Sequence, residues 1–368
     1  MMSNVRRMVS LFKGVCRTRT CPVHTWTSGA GLVLQSRSTD VFQNLALEDW
    51  IEANVDLRQR GVLLLWRNRP AVVIGRHQNP WTECDLQAAT KAGIHVARRR
   101  SGGGTVFHDL GNLNLTFFTS KKNYDRRRNL KMITDALRRV RPELDVQATD
   151  RLDIVLNGHL KISGTASRLR RDSSYHHCTL LHSADRSALS AVLRPSTSGI
   201  HSNATPSVPS PVANLVDHAP TLQWEELLEA LVDQYNEEFG CTSALTSIDP
   251  SDEASFPGIG LFVSELSSWE WTFGKTPKFS VRTVLDLSEH RSAQLHLEVK
   301  NGLVASCQVL VPPDWIPQSL ADQLSQVLVG ERFCRHGAAA AAVSTLLRLD
   351  GTGGRLEELS KAVLRAMG

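Results

Sequence analysis

Residues 98–109 read Arg-Arg-Arg-Ser-Gly-Gly-Gly-Thr-Val-Phe-His-Asp. Three arginines run into three consecutive glycines, and a strand-like stretch follows. Consecutive glycines suit a backbone that must approach something closely or take positive φ. Amide-rich loops of this kind cradle anions, and arginine beside them suits a phosphate or carboxylate. Taken alone, the segment fits a tight turn between strands as well as it fits the floor of a ligand site. It is not a dinucleotide fingerprint, because a strand rather than a helix follows it, and the chain has no Gly-x-x-x-x-Gly-Lys phosphate loop.

A second segment, residues 157–167, reads Asn-Gly-His-Leu-Lys-Ile-Ser-Gly-Thr-Ala-Ser. Lys161 sits on an apolar strand leaving a tight hairpin. It fits a solvated strand face, but Ser163, Gly164, Thr165 and Ala166 are small enough to let a ligand lie against the backbone. A lysine ammonium is a point charge suited to a phosphate or a developing oxyanion. His176 and His177 are adjacent, so on a strand they face opposite sides and do not share a metal. Cys178 after them reads as a buried thiol, with a thioester nucleophile as the alternative. The arginines at 126–128 and at 168, 170 and 171 read as solvated charges that could together dock an acidic partner.

The elements that position these residues follow from local pattern. Thr39 and Asp40 cap a helix with Phe42, Leu45 and Ala46 on its apolar face. Residues 62–66 and 71–74 are short apolar strands around an Asn-Arg-Pro turn, which predicts a hairpin. Residues 85–92 are helical with Gly93 as the stop, and 94–97 form a strand into the glycine loop. Leu113, Leu115 and Phe117 alternate with Asn114, Thr116 and Phe118 at strand period. A helix spans 129–140. Asn157-Gly158 joins strands 153–156 and 159–162. Residues 177–181 are a strand, 195–220 a long irregular segment, and 222–239 a helix. Beyond about 250 the pattern restarts with strands at 279–287, 293–300 and 303–310 and helices at 320–328 and 354–366.

At 368 residues two domains are expected. A hydrophobic fraction of 41% and a charged fraction of 21% are those of an ordinary globular chain, and no run has the roughly 18 apolar residues a membrane span needs. The net charge of +5 does not by itself argue for nucleic acid. Seven scattered cysteines without a CxxC favour a reducing compartment and no structural zinc. Residues 1–39 hold no Asp or Glu, while Arg6, Arg7, Lys13, Arg17 and Arg19 supply positive charge, the composition of an organelle transit peptide.

The glycine loop through Asn112, the Lys-Ile-Ser-Gly-Thr-Ala run at 161–166 and the His-His-x-Thr-Leu-Leu run at 176–181 together resemble the lipoate–protein ligase and lipoyltransferase family. Further matching stretches are 44–48, 65–68, 73–81 and 269–279, and the resemblance runs from about residue 30 to the end. It implies an α+β fold with mixed sheets: a biotin/lipoyl-ligase-like catalytic domain at 31–250 and a smaller C-terminal α/β accessory domain at 251–368, after a mitochondrial transit peptide at 1–30. It implies lipoyl-AMP as bound donor, no metal, and Lys161 as the catalytic lysine at the acyl-phosphate. Arg99, Ser101, Gly102, Gly103, Gly104 and Phe107 would line the lipoyl and phosphate region, with His108 and Asn112 close by and Trp66 beside the lipoyl tail. Arg151 and Asp153 match a nucleotide-contacting Arg-Asn-Asp, and Thr179 matches the adenylate-contacting strand. Thr205, Val208 and Ser210 match the adenylate loop. One departure is Leu152, where ligases carry asparagine; it fits a transferase that receives its acyl group already activated.

The resemblance thus implies a monomeric acyltransferase of the mitochondrial matrix. The acyl group would come from lipoyl-AMP or lipoylated glycine-cleavage H protein and go to a lysine on the lipoyl domains of 2-oxo acid dehydrogenase E2 subunits. Neither nucleic acid nor membrane is expected as a partner. A complete ATP-dependent lipoate–protein ligase and a non-catalytic binder of acyl-carrier domains are the alternatives.

Overall fold

The computed structural model describes residues 31–195, 197–288, 290–348 and 354–368; the transit-peptide reading of residues 1–30 lies outside them. Sixteen strands are assigned among the described residues. They are β1 (Gly31–Ser36), β2 (Gly61–Trp66), β3 (Ala71–Ile74), β4 (His95–Arg98), β5 (Val106–His108), β6 (Asn112–Ser120), β7 (Val146–Ala148) and β8 (Ile154–Leu156). The remainder are β9 (Leu160–Ser163), β10 (Thr165–Leu169), β11 (Ser173–Leu181), β12 (Ile200–Ser202), β13 (Leu245–Ile248), β14 (Phe279–Asp286), β15 (Ser292–Lys300) and β16 (Leu303–Leu310).

The central sheet has six strands in the order β10-β11-β6-β2-β1-β13. The β1–β2 and β1–β13 pairs are parallel and the rest antiparallel. Side chains alternate across it. Leu113, Leu115 and Phe117 face a core shared with helices Arg126–Val140 and Trp224–Phe239. Leu64, Phe118 and Tyr175 face a second core with helix Val41–Asn54, which Asp40 caps through the amides of Phe42 and Gln43. Three smaller sheets complete the α+β arrangement: β4-β3-β5, β7-β8-β9 and β12-β14-β15-β16.

The structure corrects two local expectations. The strands at 62–66 and 71–74 are not a hairpin. β2 joins the central sheet and β3 pairs with β4 and β5 in another. The linking Asn68 is fully buried. It accepts from Asn44 Nδ2 at 2.8 Å and donates to His108 Nδ1 at 3.0 Å, so it is an inward corner rather than a solvent turn. The Asn157-Gly158 turn forms, with positive φ of 50° and 74° and His159 N donating to the Leu156 carbonyl, but pairing resumes at Leu156–Leu160, so the loop holds three residues and not the two expected.

Contacts cross residue 250 in both directions. Phe256, Ile259, Leu266 and Trp271 pack into the core of helix Val41–Asn54. From the other side, β12 leaves the long irregular segment to pair with β14, and Trp81 packs tilted or edge-on among Phe273, Phe279 and Phe333.

Arg98 pins this junction. Its side chain is fully buried and has no carboxylate partner among the described residues. It donates instead to the carbonyls of Gly75, Arg76, Gln78 and Thr272 and to the Thr276 hydroxyl, at 2.7–3.2 Å. Each buried carbonyl left without a donor costs roughly 1–3 kcal/mol. Arg98→Met should therefore lower unfolding free energy by about 3 kcal/mol or more, measured by urea denaturation; a loss below about 1 kcal/mol would contradict this role.

Candidate active site

A cavity of about 230 Å³ opens where the central sheet meets β5, β9 and the glycine loop. Ligand sites typically offer roughly 300–1,000 Å³, and here residues 206–208 help wall the space. Of the predicted site residues, Trp66, Arg99, Gly104, His108, Asp153, Lys161, Thr179 and Val208 line it. The others do not. Ser101 is buried behind His177, and Asn112 is buried against Asn114. Phe107 packs on the opposite side of β5 with Val72 and Ile74. Arg151 and Ser210 are exposed. Gly102 has open space where a side chain would be, and Gly103 takes φ of 82°. Thr205 is held by its backbone, donating to the His77 carbonyl and accepting from Gln78 Nε2.

Arg99 organises the glycine loop from beneath. Its Nη2 donates to the carbonyls of Gly102 and Gly104, both at 2.6 Å; Nη1 reaches the Val73 carbonyl and Nε the Ser101 hydroxyl. The guanidinium thus shapes the loop by collecting its carbonyls. A Cβ on Gly75 would lie 2.1 Å from the Gly103 carbonyl oxygen, so only glycine fits where the two loops touch. A Cβ on Gly104 would come within 3.2 Å of Ser207 Oγ.

Ser207 was not among the predicted residues, yet it fastens the covering segment. Its hydroxyl accepts from Thr105 N at 2.9 Å and Gln78 Nε2 at 3.0 Å and donates to Glu83. The same segment then grips the lysine strand: Lys161 N donates to the Pro211 carbonyl, and Ala213 N donates to the Lys161 carbonyl. Lys161 Nζ lies 2.9 Å from Asp153 Oδ1. Beside it, Gly164 N donates to Thr179 Oγ1 at 2.9 Å.

The inner end is walled by a hydrogen-bonded chain that local pattern does not disclose. Trp66 Nε1 donates to Thr116 Oγ1, which donates to Glu48 Oε1 at 2.6 Å. His177 bridges Glu48 at 2.9 Å and Ser101 at 2.7 Å. The hint in the sequence is Glu48 among the apolar residues Leu45, Ala46, Leu47, Trp50 and Ile51 of its helix. Cys178, between His177 and Thr179, places its side chain in the first core with Leu115 and Leu180, and burial pushes its thiol up to about 12. That is the setting of a structural thiol rather than a nucleophile.

Arg168 is not a solvated charge: it pairs with Asp49 and Glu52, both buried. Burial pushes the Asp49 carboxyl up to about 6 despite Arg100 and Arg168 beside it. Leu152 has φ of 65°. A non-glycine residue there costs about 1–2 kcal/mol, and asparagine visits the region more readily. The leucine side chain is partly buried against the first core, so it turns no polar group toward a nucleotide.

His108 is a neutral wall. Burial first, then Arg99 and His177, push it down to about 3 from 6.5. Between those values the unfolded chain binds the extra proton, so stability falls as pH drops through that window. His108→Asn should flatten this loss by about 2 kcal/mol between about pH 7 and 5, read from unfolding free energies at each pH; parallel curves for both proteins would refute it.

Comparison with known proteins agrees with this geometry. The family model described as lipoyl protein ligase A/B catalytic domain matches residues 40–236. The chain is 50% identical over 307 residues to the mitochondrial lipoyl amidotransferase of Homo sapiens, covering 83% of this chain and 82% of that one. It is 34% identical over 315 residues to a lipoate-protein ligase A of Psychrobacter cryohalolentis, covering 84% and 90%. Among solved structures, P. falciparum LipL1 in complex with lipoate superposes with a TM-score of 0.59 at 25% identity, covering 91% of this chain and 99% of that one. The cavity, its lysine and its glycine loop lie within or beside the matched span, and the chain belongs to the lipoyl protein ligase A/B catalytic-domain family.

Proposed function

We propose that this protein is a lipoyltransferase. It moves a lipoyl group from an activated donor, lipoyl-AMP or lipoylated glycine-cleavage H protein, to a lysine on the lipoyl domains of 2-oxo acid dehydrogenase E2 subunits. It acts as a monomer in the mitochondrial matrix. Its human and mouse relatives are named as mitochondrial lipoyl amidotransferases, and the acid-free N-terminal composition fits import.

The observation that carries this reading is the polarity of the cavity. Leu45, Trp66 and Val73 share one apolar cluster on its lining, and Lys161, Gly164 and Thr179 lie together on a polar part of it. An acyl chain fits the first and an acyl-phosphate the second. The acceptor amine, neutral, attacks the acyl carbon; the bond from that carbon to the phosphate oxygen breaks; AMP leaves and the new amide nitrogen loses a proton. Charge builds on the carbonyl oxygen during attack and on phosphate during departure. Arg99 spends its donors on the loop, so Lys161 is the cation with reach to both, aimed by Asp153. Leu152, partly buried and without a polar side chain, favours a donor activated elsewhere over use of free lipoate with ATP.

Incubating the full chain and an apo lipoyl domain with lipoate plus Mg-ATP, with lipoyl-AMP, or with lipoylated H protein separates the donors. Product is expected from lipoyl-AMP or the H protein and not from lipoate with ATP; equal use of all three would make it a complete ligase. Lys161→Ala should slow transfer by about 10²–10³-fold without shifting the melting temperature, and near-normal transfer by that variant would sink the assignment.

A further inference from the structure

The geometry points to Asn114 as a further catalytic residue, whose side-chain amide donates a hydrogen bond to the acyl carbonyl oxygen as it becomes an oxyanion. The inference rests on the lipoyl-transfer reading above and adds to it a residue that the sequence motifs did not single out.

Asn114 is 2% exposed, and its side chain belongs to the cavity face of β6. Its Oδ1 accepts from Asn112 Nδ2 at 3.1 Å. Its Nδ2 has no partner among the described residues. Several buried side-chain atoms share that condition, but Asn114 Nδ2 is the one whose residue lines this cavity. An unbonded buried donor costs roughly 1–3 kcal/mol, a penalty that a bound acceptor removes.

Its place on the sheet says which acceptor. In register, Asn114 lies directly opposite Trp66 on one side and Thr179 on the other. Trp66 belongs to the apolar cluster, its ring edge-on to His108 at 5.7 Å. Thr179 belongs to the polar part, bonded to Gly164 N. A Cβ on Gly164 would lie 3.8 Å from Lys161 Cε. Asn114 therefore stands where the apolar wall gives way to the charged one. In an acyl-phosphate, that boundary is the carbonyl group. The neighbouring polar atoms are committed: His177 to Glu48 and Ser101, and Arg99 to the glycine loop. A buried neutral donor held by its own oxygen is the arrangement that stabilises a developing oxyanion without reorganisation.

The test is single-turnover transfer from saturating lipoyl-AMP to an apo lipoyl domain, with lipoyl-AMP affinity measured separately. Asn114→Leu keeps the branching at Cγ, with bulkier methyl groups, and removes the amide; Asn114→Ala removes both. Each is expected to slow transfer by about 10²–10³-fold while lipoyl-AMP affinity changes only by about threefold. A saturated rate within about threefold of wild type overturns the inference, whether or not affinity falls, because the interaction would then be absent from the transition state. Should neither variant fold, wild type labelled with ¹⁵N-asparagine decides: a downfield shift of one side-chain N–H on adding lipoyl-AMP supports the contact, and its absence overturns it. A wild-type chain that transfers lipoyl from no donor overturns the parent reading and this one with it; active wild type with unimpaired variants overturns this one alone.

Discussion

Buried carbonyls need donors, and two consecutive arginines supply them here. Arg98 and Arg99 leave β4 with their guanidiniums committed to backbone carbonyls and to the Thr276 and Ser101 hydroxyls rather than to carboxylates. Arg98 ties the 75–78 loop to the end of helix Trp269–Thr272, and Arg99 ties the glycine loop to β3. A loop bent tightly enough to wall a small cavity exposes carbonyls that its own amides do not reach. The guanidinium, with five donors on a rigid plane, gathers several at once. The rest of the site is hung on these two pins.

What hangs on them is one covering segment. It begins at the edge of the β12-β14-β15-β16 sheet, crosses the cavity at 206–208 where Ser207 is fastened, and ends against the backbone of Lys161. Lys161, to which we assign the charge-neutralising role, is thereby positioned by the same stretch that covers the cavity. Beside it His108 is a neutral part of the wall, deprotonated by burial, and the Cys178 thiol is held protonated in the core on the far face of the sheet. In such surroundings a single ammonium has more effect on a developing charge than it would in water.

The legible parts of the chain were those encoded over a few residues. The Asn157-Gly158 turn, the cap at Asp40, the alternation along β6 and the glycine loop all follow from local backbone preference or period. The illegible parts were pairings across long separations. The hairpin expected at 62–74 failed because Asn68 is drawn inward by Asn44 and His108. Arg168 looked solvated because Asp49 and Glu52 lie 119 and 116 residues away in the chain.

The sequence by itself determined the chemical inventory: a lysine on a strand among small residues, a glycine loop flanked by arginine, and an apolar strand ending in tryptophan. It also carried the family. The tertiary structure alone decided which of these meet. Glu48 and His177 are 129 residues apart, and Ser207 and Glu83 are 124 apart, so nothing local specifies either contact. Strand period says that Asn114 and Thr116 share a face. Only the packing of β6 between β2 and β11 makes that face the wall of a cavity instead of solvent, because burial is a property of the assembled sheet and not of any one strand.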